Sequence, residues 1–307
     1  MKISKYFCLM TVSLVCLSSA VYATEAEDIG FGGGGEIKAS FSGLQGRDGN
    51  QYDKMFGLSA SVPVYNAKSG DCFARYSVSG AIDSQEERLS IVPNTLQLYD
   101  ARVAAGAVIT NIKSREMYMF HLGLSAAEEK DVLSDVQERV SFLGMGTYRS
   151  RPNLVYIYGA GYSYIFGRGR LFPAFGFNWK IDEKRSLNFF LPLQVRYSVK
   201  VSTVLKASLY SVLFGNQYRF KNQAMYPGQP DILYLHTVGI KLGLGAEYKA
   251  FPGWALGADI GTVLRRDADI SQDGTDEIAQ EKMNGEFFFQ ASCKWSFGGR
   301  AQTVSRW

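Results

Sequence analysis

Two histidines, His121 and His236, carry the chain's capacity for general-base chemistry. Ser125 lies four residues beyond His121, a pair of types that would suit acyl transfer. Along a strand, however, four residues span about 13 Å, far beyond the reach of a proton transfer. A serine from another strand would have to meet His121. His236 falls in phase with an apolar face, where a general base is less useful. Asp267, Asp269, Asp273, Asp276 and Glu277 crowd one segment, and acidic oxygens suit a divalent cation. As a calcium loop the spacing fails, because Gln272 stands where glycine is needed and Ile278 where a bidentate glutamate is needed. The segment reads as a solvated outer loop. Gly30-Phe31-Gly32-Gly33-Gly34-Gly35 matches the dinucleotide-binding fingerprint letter for letter. That fingerprint works only between a strand and a helix, and here a leader precedes it and a strand follows. The expectation is therefore a non-enzyme with no catalytic residues, no bound metal and no cofactor.

Charged residues are the larger functional set, and their meaning depends on the elements that carry them. The chain has 307 residues, a formal net charge of +4 and a high content of Tyr, Phe and Gly with little Pro. That composition excludes a disordered or collagen-like chain and suits an all-β protein. Lys2 and Lys5, the apolar run Tyr6–Leu17, and Val21 and Ala23 at a small-residue cleavage site read as a secretory signal peptide over 1–23. Its removal takes Cys8 and Cys16 as well, leaving Cys72 and Cys293. The remaining chain is close to neutral, with no basic stretch that would point to nucleic acid.

Beyond a Gly-rich lead over 24–35, the dominant period is two. Phe56, Leu58, Ala60, Val62 and Val64 alternate with Gly57, Ser59 and Ser61. Leu242, Leu244, Ala246 and Tyr248 alternate with Lys241, Gly243, Gly245 and Glu247. Strict alternation gives each strand one apolar and one wet face. Candidate strands fall near 36–42, 55–65, 72–82, 97–110, 116–125, 138–148, 154–166, 171–180, 187–199, 203–213, 232–249, 253–264 and 285–297, and only 126–137 looks helical. Many of these runs reach the roughly 9–11 residues of a tilted spanning strand. Tyr65, Tyr118, Trp179, Tyr197, Tyr248, Trp254 and Trp295 sit at strand ends, as an interfacial girdle requires. These features favour a single antiparallel transmembrane β-barrel over 36–307 rather than a soluble sandwich. Barrel parity requires an even strand number with both ends on one side. Long links alternate with short ones from each end, and the two phases clash near 126–153. That clash predicts about 12 strands (10–14), with either 138–148 belonging to a long outer loop or one neighbouring run misread.

The final strand Phe287–Phe297, with aromatics at alternate positions, resembles the C-terminal signal read by the barrel-assembly machinery. Leu171–Trp179, Ile181–Lys184 and Ser186–Leu193 are similar to segments of a family of uncharacterised outer-membrane barrels of unknown function. The resemblance implies export to the outer membrane, contact with its lipid and lipopolysaccharide, and the assembly machinery as a partner. In such a barrel the wet-face set Lys38, Arg75, Asp100, Arg102, His121, Arg196, Lys206, Lys241, Glu247, Asp259 and Lys294 faces the lumen. Its mixed signs suit a narrow pore or transport-type barrel. The rival readings are a non-conducting structural or adhesive barrel acting through its outer loops, and a lipid-modifying barrel enzyme.

Overall fold

The computed structural model describes residues 35–46, 51–132, 136–223, 225–272 and 276–297. The expected signal peptide over 1–23 and most of the Gly-rich lead lie outside this range. Among the described residues no helix is long and apolar enough to cross a membrane. The chain crosses back and forth as strands β1 (Gly35–Gln45), β2 (Tyr52–Ser69), β3 (Cys72–Arg88), β4 (Leu96–Asn111) and β5 (Glu116–Glu129). It continues through β6 (Arg139–Arg151), β7 (Leu154–Ser163), β8 (Arg170–Lys180), β9 (Arg185–Leu191) and β10 (Gln194–Lys200). It ends with β11 (Leu205–Lys221), β12 (Ile232–Phe251), β13 (Trp254–Ser271), β14 (Glu277–Met283) and β15 (Glu286–Phe297).

Neighbours in sequence pair antiparallel, and β1 pairs with β15, so the sheet closes on itself. β14 and β15 run in series along β13, broken only at Asn284 and Gly285. They form one staggered barrel strand, and the ring has fourteen. Both described ends, Gly35 and Phe297, and all the short turns but the one at Leu191-Pro192-Leu193 lie at one end of the barrel, and that turn and the longer links lie at the other.

Fourteen lies at the upper end of the expected 10–14, two above the central value of about twelve, and the reason for the difference is local. Segment 187–199 is two strands, β9 and β10, joined at Leu191-Pro192-Leu193 with Phe190 opposite Gln194. A three-residue turn between paired positions keeps the alternation in phase, so Leu187, Phe189, Val195 and Tyr197 read as one strand. With that turn restored, the two phases of long and short links agree. Segment 138–148 is therefore no outer loop but β6, paired to β5 and β7 on either side. The expected helix over 126–137 is likewise replaced by the end of β5 and a short 3-10 turn, Lys130–Val132.

Phe41, Phe56, Leu58, Phe120, Leu122 and Leu244 stand 43–59% exposed on the outer face, an apolar belt around the wall. The seven girdle aromatics all gather at the short-turn end. Trp254 stacks on Trp295 at 5.8 Å, Trp295 meets Phe297 at 5.0 Å, and Tyr65 meets Tyr76 at 6.0 Å.

The ring is not uniform along its axis. β6 to β10 stop short of the long-link end, and there β5 meets β11 directly in a parallel bridge, Arg219 opposite Glu128. The barrel thus narrows where five strands drop out.

Among the described residues both cysteines are free, Cys72 at the start of β3 and Cys293 on β15. Cys293 lies opposite Ala39, and Ala39 opposite Leu58, so β1 and β2 intervene between the two thiols. Three strand spacings come to about 14 Å, against the roughly 7 Å a disulfide allows between Cα atoms. Thiol titration of the denatured, unreduced mature chain should find two free thiols. An intrachain link between Cys72 and Cys293 would contradict this strand order.

Candidate functional site: the barrel interior

The interior face follows from the pairing register, because residues directly opposite on adjacent strands share a face. Lys38 faces Lys294 on one side and Ser59 on the other. Lys206 lies between Lys200 and Glu247, Asp259 lies opposite Gln290, and Arg75 lies opposite Val108. His121 lies opposite Gly106 and Leu143. Lys241 lies opposite Val212 and Val263. Arg102, opposite Ala81 and Ser125, and Asp100, opposite Asp83, share this side. All of these alternate with the exposed apolar belt and share the inner side of the wall. The structure divides them into two zones along the axis.

At the short-turn end the charged side chains of the inner face, among them Lys38, Arg75, Arg196, Lys206 and Lys294, remain partly exposed, whereas Thr147, Asn178, Ser186, Asn188 and Ser198 on the same face are buried. Lys294 Nζ lies 4.0 Å from both Glu36 and Glu247. The Arg196 guanidinium sits 4.6 Å over the Tyr210 ring and 3.4 Å from Ser208 Oγ. Side chains here are held at hydrogen-bond or weak ion-pair distances on a wetted wall.

At the long-link end the interior is dry and crossed by bonds. Arg102 of β4 pairs with Asp83 of β3 and approaches Asp100 at 3.6 Å. Asn216 of β11, across the barrel, donates to Asp100 at 2.7 Å. Tyr218 of β11 donates to Gln85 of β3 at 2.8 Å, and Gln85 donates to Glu87 at 3.1 Å. Arg266 of β13 pairs with Glu87 and lies 3.8 Å from Asp53 and 3.9 Å from Glu286. Glu87 is 0% and Arg266 2% exposed. Lys241 Nζ rests 4.4 Å over the Phe214 ring and 5.3 Å from that of Phe288. Above this network, Leu89 and Val92 of the β3–β4 link fold into an apolar cluster with Leu98, Phe220, Leu235 and Ile270. Tyr226, on the β11–β12 link, donates its hydroxyl to the Ile91 carbonyl, and burial pushes its pKa up. A link from one wall is thus tied to a link from the other.

Asp53, Asp83, Glu87, Asn216, Arg266 and Glu286 complete this network, and the sequence analysis did not single them out. Five of them lie in or beside segments read there as loops: 43–54, 83–96, 214–231 and 265–284. The signal was present in part, since Asp83, Gln85 and Glu87 continue the interior phase of Ala81.

His236 does find a serine, though not one near it in sequence. Its Nε2 lies 2.7 Å from Ser271 Oγ, and its Nδ1 lies 2.6 Å from the Gly167 carbonyl. As expected from its phase, His236 points outward, opposite Gln217 and Asp269. It is nevertheless 1% exposed, because the β7–β8 link passes over it. Arg168 in that link also pairs with Asp269 at 2.8 Å. These contacts fasten the link across the notch left by the short strands. Of the acidic segment, Asp267 and Asp269 lie on β13, where Asp267 pairs with Arg265, while Glu277 opens β14. Asp273 lies outside the described residues. Among the described residues no His, Cys, Asp or Glu cluster has the geometry of a metal site.

A family model described as "Domain of unknown function (DUF6268)" matches residues 127–300, more than half of the chain. No curated protein matches the sequence. Among solved structures, the translocator domain of the autotransporter NalP from Neisseria meningitidis is similar at 12% identity and a TM-score of 0.34, covering 90% of this chain and 93% of that one. The COG4313 outer membrane channel from Pseudomonas putida F1 is similar at 6% identity and a TM-score of 0.44, covering 86% and 96%. The outer membrane channel DcaP of Acinetobacter baumannii is similar at 11% identity and a TM-score of 0.29, covering 86% and 96%.

Proposed function

The chain belongs to the family described as a domain of unknown function (DUF6268), and from that footing we propose that it is a transport-type outer-membrane barrel, closed at rest. One observation carries the reading. The interior carries partly exposed charged side chains toward the short-turn end and a network of ion pairs and hydrogen bonds that crosses it toward the long-link end. An eight-stranded barrel is filled by its own side chains, whereas barrels of 16–18 strands leave an aqueous channel. Fourteen strands lie between these sizes, and here the crossing network sits at the end where β5 meets β11. A scaffold acting only through its outer loops has no need of a hydrated, charged half-lumen.

In this reading the short turns and both termini face the periplasm, and the longer links face outward. The apolar belt contacts outer-membrane lipid and lipopolysaccharide. The chain reaches that membrane by signal-dependent export and the assembly machinery.

The test combines heat-modifiable mobility on SDS gels, which confirms a folded barrel, with planar-bilayer recording. The wild-type protein should give small, infrequent conductance steps. Leu89→Asp with Val92→Asp should drive the β3–β4 link out of the interior and raise the step frequency about tenfold or more, because each buried apolar side chain contributes about 1.5–3 kcal/mol. A folded, heat-modifiable barrel that gives no steps in either form overturns the transport reading.

A further inference from the structure

The interior charges are sorted by sign along the axis. In the short-turn half, Lys38, Arg75, Arg196, Lys206 and Lys294 face the lumen, joined by Lys200 and Lys249 on the same side of β10 and β12. Against them stand Glu36, Glu247 and Asp259. In the long-link half the balance reverses. There Asp53, Asp83, Glu87, Asp100, Glu129, Glu281 and Glu286 outnumber Arg102, Arg139, Lys241 and Arg266. Overall composition does not impose this, since the chain carries only +4 over 307 residues.

Register sharpens the point. Lys38 stands directly opposite Lys294, and Lys200 directly opposite Lys206. Like charges at opposed positions destabilise a sheet, so pairing alone does not account for two lysine pairs on one wall. Glu36 and Glu247 are both near Lys294, at 4.0 Å, and Glu247 stands opposite Lys206; three acidic against seven basic residues leave this half positive by count. A concave, low-dielectric wall of one predominant sign focuses its field and concentrates counter-ions. Lysine and arginine together also supply the donors that carboxylate and phosphate oxygens require.

We propose that the short-turn half of the lumen is a vestibule that binds small anionic solutes, those bearing carboxylate or phosphate groups. The assignment rests on the transport reading, but it is tested by binding rather than by conduction. The anionic, closed half beyond it then holds such a solute in the vestibule until the network opens.

The experiment is calorimetric titration of the detergent-solubilised full barrel with inorganic pyrophosphate at low ionic strength. Saturable binding is expected, weakened roughly tenfold or more at 0.5 M salt, where screening falls to a few ångströms. The Lys38→Gln/Lys294→Gln variant should weaken binding at least about tenfold, as should Arg196→Gln. Lys113→Gln/Arg115→Gln, in an exposed turn outside the lumen, should leave it unchanged. The diamine putrescine should not bind. Absence of binding at low salt in a heat-modifiable barrel overturns the vestibule, as does binding that survives the interior substitutions. The bilayer recording separately decides the transport reading. Steps without pyrophosphate binding defeat the anion assignment alone, and no steps in either form defeat the reading beneath it.

Discussion

Arg266→Met is expected to destabilise the barrel by about 3–5 kcal/mol, the typical loss when one partner of a buried ion pair is removed. The arginine is 2% exposed and serves three carboxylates, Glu87, Asp53 and Glu286. Glu87 is 0% and Glu286 1% exposed, so neither gains water when the guanidinium goes. Among the described residues neither oxygen of Glu286 has a hydrogen-bond partner, which makes its dependence on the nearby cation stronger. Removing both members of the shortest pair should behave differently. Arg266→Met with Glu87→Leu replaces one ion pair by apolar volume opposite Leu96, and exchanges of that kind are often neutral or stabilising. The double variant should therefore recover part of the loss, the remainder reflecting Asp53 and Glu286, which still lack the cation. Urea unfolding in detergent or liposomes, followed by the heat-modifiable gel shift, measures all three proteins. An Arg266→Met barrel as stable as wild type would mean that Arg266 does not balance these carboxylates.

This network also shows where sequence reading reached and where it stopped. Strands were legible inside the apolar belt, because there outward and interior residues differ in polarity at every step. Beyond the belt that contrast disappears. On β3 the outward Ser84 and Glu86 are as polar as the inward Asp83, Gln85 and Glu87. On β13 the outward Arg265 and Asp267 flank the inward Arg266. Alternation in polarity vanishes although the strands continue, so their extensions read as loops and their charges as solvated. The turn at Pro192 was hidden for the opposite reason, since its three residues preserve the phase. The contact between β5 and β11 has no local signature, because nothing near Glu128 records that five intervening strands end early. The His236 clasp draws on residues 167, 236 and 271, which no spacing rule connects.

Leu242→Arg should cost about 2–4 kcal/mol, the range for a cation on the lipid face near mid-bilayer. Leu242 is 38% exposed on the outer face, opposite Ser211 and Thr262 and close to the middle of β12. From phase alone, the neighbouring Gly243 is the natural comparison, an interior position expected to tolerate arginine in a wet lumen. The packing removes it from that role. A Cβ at Gly243 would lie 2.8 Å from Phe288 Cζ and 2.8 Å from Tyr210 Cζ, so any side chain there collides with an aromatic cluster. Ser59 is the sounder interior site, since it faces Lys38 and Ala81 in the partly exposed half. Ser59→Arg should cost about 1 kcal/mol or less, chiefly through repulsion from Lys38, and that cost should shrink with salt. The lipid-face penalty should persist at high salt, because ions do not enter the hydrocarbon layer. Equal, salt-independent costs at Leu242 and Ser59 in reversible unfolding would mean that the belt does not face lipid at this depth. A large penalty at Leu242 with a small, screened one at Ser59 requires the two faces to meet different solvents, hydrocarbon outside and water within.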